Sequence, residues 1–352
     1  MKNKLLAIEE KAENALRRCL ERVPFLKIGS LLRQAGAGNF QVDILVTIVL
    51  PDCKQELVVE IKNNGQPRIA HEAVNQLLRL REVYPEGYGV FIAPYISNQA
   101  AEICIKDGIG YVDLAGNCRL SFGRVYIEQV GNPNPYSVKR DLRSLYSPRA
   151  SRILRVLLND PKRFWKTKDL AKEAGVSLGQ IANIKKLLGD REWIESTSNG
   201  FSLTEPEELL KEWSENYTYQ KNSIKEFYTL KSLADIEADL SQFCRENSKR
   251  YALTGFSGAA RIAPNVRYQK AMAYIGEKSE DVVSQLGLKE VLSGANVSLF
   301  TPYDEGVFYG VKEIDGISTV SPVQLYLDLK KIKGRGEEAA MAVFEEAIKP
   351  TW

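Results

Sequence analysis

The chain has one histidine, His71, so chemistry that relies on several imidazoles is excluded, and His71 itself reads as a partly exposed helix residue. Its five cysteines, Cys19, Cys53, Cys104, Cys118 and Cys244, are odd in number and widely scattered. That spacing implies neither a disulfide framework nor a zinc site, and it fits a reducing cytoplasm. No apolar run approaches the roughly 18 residues of a membrane span, so no membrane association is expected. Met1-Lys2-Asn3-Lys4 leads into an amphipathic stretch with Glu9, Glu10 and Glu13, which is not a signal-peptide pattern. There is no internal repeat and no phosphate-cradling loop. Thr254-Gly255-Phe256-Ser257-Gly258 lacks the Lys-Ser/Thr ending such a loop needs and reads as a helix-entry turn. A net charge of +3 is too small to name a partner. What remains is 352 residues with 44% hydrophobic content, enough for the cores of two or three domains.

The most informative stretch runs from Phe40 to Gln76. Phe40, Val42, Ile44, Val46, Ile48 and Leu50 are apolar at a spacing of two, as are Leu57, Val59 and Ile61 beyond a short turn at Pro51-Asp52-Cys53-Lys54. Two such runs predict a β-hairpin. Pairing Leu50 with Gln55 sets Asp43 across from Lys62, with Glu60 on the diagonal at roughly 7–8 Å. Asp43, Glu60 and Lys62 then share one face and the apolar residues fill the other. A slip of one residue would split the two carboxylates between faces. Leu45, Val49 and Val58 share the charged face, so it too is expected to be partly covered. A helix is predicted over Ile69–Tyr84, where Ile69, Ala73, Leu77 and Leu80 form a stripe flanked by Gln76.

An Asp on one strand and Glu-x-Lys on the next resembles the PD-(D/E)xK nuclease signature. The literal Pro51-Asp52 pair falls in the turn, so Asp43 is the matching acid. The resemblance implies a restriction-endonuclease-like mixed sheet, with Asp43 and Glu60 holding Mg²⁺ and Lys62 acting on the attacking water. Hard oxygen ligands suit that ion; it lowers the pKa of bound water and neutralises charge growing on phosphate. Gln76 matches the glutamine that follows Glu-x-Lys in several subfamilies. Glu13, on a first helix predicted over about Asn3–Leu20, matches the further acid some members carry. The same fold also hosts non-catalytic binders.

Along the chain, residues 1–133 read as one α/β unit. Further strands are predicted at Tyr88–Ala93 and Ile109–Leu114, with a helix over Ser97–Asp107 between them and a hairpin of Cys118–Phe122 and Val125–Val130 after them. Asp113 and Asn117 read as turn-shaping residues. Gly131-Asn132-Pro133-Asn134-Pro135 is the clearest linker, followed by the basic residues Lys139, Arg140 and Arg143.

Residues 148–215 predict a winged helix-turn-helix. Helices at Ser151–Leu158 and Lys168–Ala174 precede a Gly175 turn and a third helix capped by Ser177, and Trp193–Ser196 with Phe201–Thr204 form the wing. From Arg149 to Gly200 there are eleven Lys/Arg against six Asp/Glu. Gln180, Asn183, Lys185 and Lys186 lie outside the apolar stripe of the third helix. Asn and Gln suit adenine edges and Lys suits phosphate, so this helix is expected to enter the major groove of double-stranded DNA. Arg163 and Lys166 are expected to add backbone contacts, while Trp165 suits the core. Residues 216–250 read as a helical spacer, and 251–352 as a smaller α/β domain. In the latter, strands are expected at Ala271–Ile275, Val297–Phe300 and Val307–Tyr309, and helices at Pro322–Lys331 and Glu337–Ile348.

Tyr251-Ala252-Leu253-Thr254-Gly255, Ala259-Ala260-Arg261, Ser321-Pro322-Val323-Gln324-Leu325-Tyr326-Leu327-Asp328-Leu329 and Gly334-Arg335-Gly336-Glu337-Glu338-Ala339-Ala340 are similar to the C-terminal part of bacterial AbiEi-type antitoxins of type IV toxin–antitoxin systems. That resemblance implies promoter binding by the winged helix, repression, and a cognate toxin partner. Two functions are therefore expected: an antitoxin-like transcriptional regulator with a nuclease-fold N-terminal domain, or an Mg²⁺-dependent endonuclease targeted by its winged helix. A protein-interaction scaffold is the third class, if nucleic acid does not bind.

Overall fold

The computed structural model describes residues 2–37, 40–135, 145–263, 268–276 and 280–352. Lys139, Arg140 and Arg143 lie outside these residues. The chain divides into two compact units: residues 1–141 with 188–192, and residues 142–187 with 193–352.

The first unit is built on a seven-stranded sheet in which every strand neighbours the next in sequence. Helix α1 (Lys2–Leu20) precedes the antiparallel strands β1 (Lys27–Ala37), β2 (Phe40–Val49) and β3 (Lys54–Ile61). Helix α2 (Pro67–Leu80) crosses to β4 (Tyr88–Ala93), parallel to β3, and α3 (Asn98–Lys106) crosses to β5 (Gly110–Asp113), parallel to β4. Strands β6 (Cys118–Phe122) and β7 (Val125–Gln129) close the sheet as an antiparallel hairpin.

Side-chain alternation sorts the core into two layers. Ile44, Ile48, Val59, Val90 and Val112 pack with Leu16 and Leu20 of α1. On the other face Val58, Phe91 and Tyr111 pack with Ala70, Val74 and Leu77 of α2 and with Ala100 and Cys104 of α3. A central parallel strand covered on both faces needs apolar residues at consecutive positions, and β4 is buried from Gly89 to Ala93.

The hairpin register differs from the expected one. Val49 pairs with Lys54 and Ile48 with Gln55, across a two-residue turn at Pro51-Asp52 closed by the Leu50 N–H on the Cys53 carbonyl at 2.9 Å. The shift is two residues, so every side chain keeps its face. Asp43 comes opposite Glu60 rather than Lys62 when the ladder is carried one step past Ile44–Val59.

The second unit begins with helices α4 (Pro148–Asn159), α5 (Thr167–Ala174) and α6 (Leu178–Asp190), followed by the antiparallel pair β8 (Ile194–Thr197) and β9 (Gly200–Leu203). Gly175 ends α5 in the left-handed conformation, φ +62°, which glycine adopts without steric cost. Trp165 exchanges two backbone hydrogen bonds with Phe201, adding a third short edge to the pair, and its ring is buried as expected.

After α7 (Pro206–Asn216) the chain enters a second seven-stranded sheet, ordered β13-β10-β14-β12-β11-β16-β15. These are β10 (Ser223–Tyr228), β11 (Tyr251–Leu253), β12 (Ala271–Ile275), β13 (Lys289–Glu290), β14 (Val297–Thr301), β15 (Lys312–Ile314) and β16 (Ile317–Thr319). Helices α8 (Leu233–Glu246), α9 (Gly255–Ile262), α10 (Glu280–Gln285), α11 (Pro322–Leu329) and α12 (Gly336–Val343) accompany it, and wider helical turns continue from Phe344 to Ile348. Two expectations are corrected here. Residues 216–250 are not a helical spacer, because β10 lies within the sheet between β13 and β14 and Ile236, Leu240 and Cys244 of α8 join its core. Val307–Tyr309 is not a strand, because Asp304 accepts the Gly306 N–H at 2.8 Å and starts a short 3₁₀ turn over Glu305–Phe308.

Candidate functional site

The first site lies where β2 and β3 meet the carboxyl end of the parallel strands, the edge at which open α/β sheets bind ligands. Glu60 is buried, at 3% exposure, and its carboxylate is gripped from two sides. Lys62 Nζ donates to Glu60 Oε1 at 2.5 Å, and Gln76 Nε2 donates to Oε2 at 2.7 Å. Lys62 also donates to Gln76 Oε1 at 3.2 Å, so the three side chains close a ring. Asp43 Oδ2 accepts the backbone N–H of Ile61 at 2.7 Å. The charged face is covered as expected: Val58 and Leu45 pack under α2, and this packing presents Gln76 to the strand.

Burial pushes the Glu60 carboxyl above its ordinary range. The lysine contact opposes that shift and the negative charge of Asp43 adds to it. Burial likewise raises Asp43, against the pull of the Ile61 N–H and of Lys62. Two desolvated carboxylates on one face, with Asp43 adding to the rise of Glu60, define a place where positive charge is favoured.

The loop after Lys62 is fixed by Gly65, which bridges Ile96; a Cβ there would stand 2.1 Å from the Tyr95 carbonyl oxygen. Glu13 is held elsewhere. Its carboxylate takes Arg17 at 3.0 Å and Arg33 at 2.6 Å, and the pair of arginines lowers its pKa. Among the described residues no three His, Cys, Asp or Glu side chains gather as an ion-binding group, so Glu13 is not part of an Asp43–Glu60 cluster. Arg17 was legible as an i,i+4 partner of Glu13. Arg33 was not, because it belongs to β1. Asp113 shapes a turn, accepting the backbone and side-chain N–H groups of Asn117 at 2.8 and 2.9 Å. His71 is an exposed residue of α2.

In the second unit, Ile181, Ile184 and Leu187 of α6 face inward, while Asn183 and Lys186 are exposed and Gln180 and Lys185 are half-buried. The Lys185 ammonium lies 4.9 Å from the centre of the Phe201 ring, on the β8–β9 side of the helix. The Arg163 guanidinium stacks 3.8 Å above Trp165, and Lys166 is exposed beside it. Of these basic residues, Arg152 is committed to Asp304 at 2.9 Å and Arg155 is buried.

Sequence reading missed the group around Arg155. Its Nε and Nη2 donate to Gln324 Oε1 at 3.0 and 2.5 Å, and Gln324 Nε2 donates onward to Asp328 Oδ1 at 3.0 Å. Asp328 also accepts the hydroxyls of Tyr217 at 2.6 Å, Tyr274 at 3.1 Å and Thr254 at 2.6 Å. One amide thus links a buried cation on α4 to a buried anion on α11. The available signal was Gln324 and Asp328, a polar pair four apart on an otherwise apolar helix.

Residues 202–349 match the family AbiEi_2, described as "Transcriptional regulator, AbiEi antitoxin, Type IV TA system". This stretch is AbiEi-like. The AbiEi-like part starts inside β9, contains the second sheet with Gln324 and Asp328, and leaves the three helices α4–α6 outside the match. No curated protein matches by sequence. Among solved structures, a repair endonuclease from Pyrococcus abyssi is 18% identical with a TM-score of 0.22, the match covering 29% of this chain and 46% of that one. EndoMS in complex with dsDNA2 is 19% identical, covering 29% and 44%, with a TM-score of 0.22. EndoMS in its apo form is 18% identical, covering 29% and 45%, with the same score. The matched part spans less than half the length of each of these proteins.

Proposed function

We propose that the protein is a DNA-binding transcriptional regulator of the AbiEi antitoxin type, carrying a PD-(D/E)xK nuclease-fold domain at its N-terminus. The observation that carries this reading is the left-handed turn at Gly175, followed by a helix whose apolar residues face inward while Asn183 and Lys186 face out. With β8 and β9 following it, this arrangement supports the reading of a winged helix whose third helix enters the major groove. The AbiEi-like match over 202–349 supports a regulator and a toxin protein as its partner. On this reading the domains are 1–133, 148–215 and a C-terminal domain that includes β10.

The ring of Glu60, Lys62 and Gln76, with Asp43 on the neighbouring strand, favours a second reading, an Mg²⁺-dependent endonuclease. The donor set suits that ion, which takes one or two carboxylates and keeps several waters. Asp43 and Glu60 would hold it, and when bound it supplies charge neutralisation at a phosphate and a more acidic water. Lys62 stands beside Glu60 to orient the water or take up charge on phosphate, and Gln76 fixes both of them.

The test of DNA reading separates two sets of side chains. Lys186→Ala should weaken binding to every duplex and reduce the steepness of its salt dependence, because each phosphate neutralised releases counterions. Gln180→Ala or Asn183→Ala should cost about 1–3 kcal/mol at the preferred site alone. Equal losses on specific and random duplexes for both sets would show that α6 does not read bases.

A further inference from the structure

The first turn of α6 carries two residues whose types the fold does not require. Leu178, the first residue of the helix, is 50% exposed, whereas its other large apolar side chains, Ile181, Ile184, Leu187 and Leu188, are all buried. The apolar pair that staples a chain into a helix joins the residue before the cap to the fourth helical residue. Ser177 is the cap, its hydroxyl accepting the Gln180 N–H at 3.4 Å, so those positions are Val176 and Ile181. Leu178 has no part in the staple or the core.

Gly179 comes next. Its backbone is helical and outside the left-handed region, and a Cβ built on it would meet nothing within 4 Å. Glycine within a helix is less favourable than alanine, and here neither conformation nor packing inside the chain explains its use. Asn183 lies four residues on and Lys186 seven, and both are exposed, so the glycine belongs to the outward stripe of α6.

We propose that this first turn reads a thymine: Leu178 packs on the C5-methyl group in the major groove, and Gly179 lets the helix backbone come close enough for that contact. The proposal rests on the reading of α6 as the recognition helix, whose N-terminal residues meet base edges. Thymine is the base that presents a methyl group in that groove, and apolar side chains are the ones that recognise it. The half-exposed leucine and the methyl group are both in water before binding, and contact removes apolar surface on each side. A side chain at position 179 would stand between the helix and the groove.

The test measures fluorescence anisotropy of the full chain on a duplex from upstream of its own gene and on the same duplex with every thymidine replaced by deoxyuridine. That change removes the methyl groups and keeps every base-pairing hydrogen bond. Wild type should bind the deoxyuridine duplex about fourfold or more weakly, the transfer free energy of one buried methyl group. Leu178→Ala should lose a similar factor on the thymidine duplex, bind the two duplexes alike and keep the wild-type salt dependence, since no phosphate contact is removed. Any effect of deoxyuridine on groove shape would persist in that variant, so the comparison isolates the leucine–methyl contact. Gly179→Ala should weaken binding to the thymidine duplex by at least about fivefold, as for one carbon forced into a packed contact, with a Tm no lower than wild type. Asn183→Ala should lose affinity and keep the preference for thymidine. Equal wild-type binding to the two duplexes, a preference that survives in Leu178→Ala, or a Gly179→Ala protein that binds as tightly as wild type or melts below it would each overturn the proposal and leave base reading by Asn183 standing. Failure of wild type to bind either duplex would overturn both.

Discussion

Gln324→Leu is expected to destabilise the second unit by about 1–3 kcal/mol, the range for taking the hydrogen-bond partner from a buried polar group, and towards its upper end because both groups it bonds are charged. The side chain is wholly buried, and its amide bonds both the Arg155 guanidinium and the Asp328 carboxylate. Leucine fills the volume but takes one hydrogen-bond partner from each charge. Arg155 would retain Ser151, whose carbonyl and hydroxyl it reaches at 3.1 and 3.0 Å, and the Trp213 ring at 5.2 Å. Asp328 would retain its three hydroxyl donors. Urea unfolding followed by tryptophan fluorescence measures the loss. Arg155→Met combined with Asp328→Leu should cost less than the sum of the two single changes, because each single change strands a charge that the other removes. A loss below about 1 kcal/mol for Gln324→Leu would mean that water replaces the amide and that the network does not hold α4 to the second sheet.

The second large effect concerns the first unit. Asp43→Ala and Glu60→Ala should each weaken Mn²⁺ or Mg²⁺ binding, followed by calorimetry, by more than about tenfold, since one carboxylate is too little to hold a reluctantly dehydrated ion. Lys62→Ala should spare ion binding. The pH dependence follows from the direction of both shifts. With the two carboxyls raised above their ordinary range, protons compete with the ion as the pH falls, and ion binding should begin to fail at a higher pH than an exposed Asp–Glu pair would show. The same direction has a stability consequence. A carboxyl raised in the folded state favours folding below its unfolded pKa, and that contribution is lost as the pH rises through the folded pKa. Glu60→Gln should therefore stabilise the protein at neutral pH, with the gain fading in acid. A Tm for Glu60→Gln that falls below wild type at neutral pH and recovers in acid would contradict the burial account. In cleavage assays the regulator reading expects no metal-dependent cutting by wild type. Rapid cutting that Glu60→Ala removes would establish the second reading instead.

The sequence displayed the faces of the hairpin better than its register. Period-two alternation fixes parity, so Asp43, Glu60 and Lys62 could be placed on one face under Gln76 even though the turn proved two residues tighter than expected. Turn length sets absolute register, and Pro51-Asp52-Cys53-Lys54 was compatible with either length. β1 was not legible because Lys27–Ala37 is mostly exposed, is interrupted at Gly29 by a register shift between Ile28 and Ser30, and offers no clean apolar alternation. β10 was masked in the same way: Ser223, Lys225 and Glu226 are polar, and only Phe227 is deeply buried. β15 and β16 are three residues each, too short for a period to show. Of a long-range meeting such as Arg155 with Gln324, the sequence shows only the polar pair Gln324 and Asp328 four apart on an apolar helix, and nothing of the partner on α4.

The central claim, that this chain is a DNA-binding regulator, is tested most directly by fluorescence anisotropy of the whole protein on a duplex from upstream of its own gene and on a random duplex of equal length, each across a salt series. The account predicts tighter binding to the upstream duplex at every salt concentration, with affinity for both falling steeply and log-linearly as salt rises. Indistinguishable binding of the two duplexes, or no binding at low salt, would contradict it.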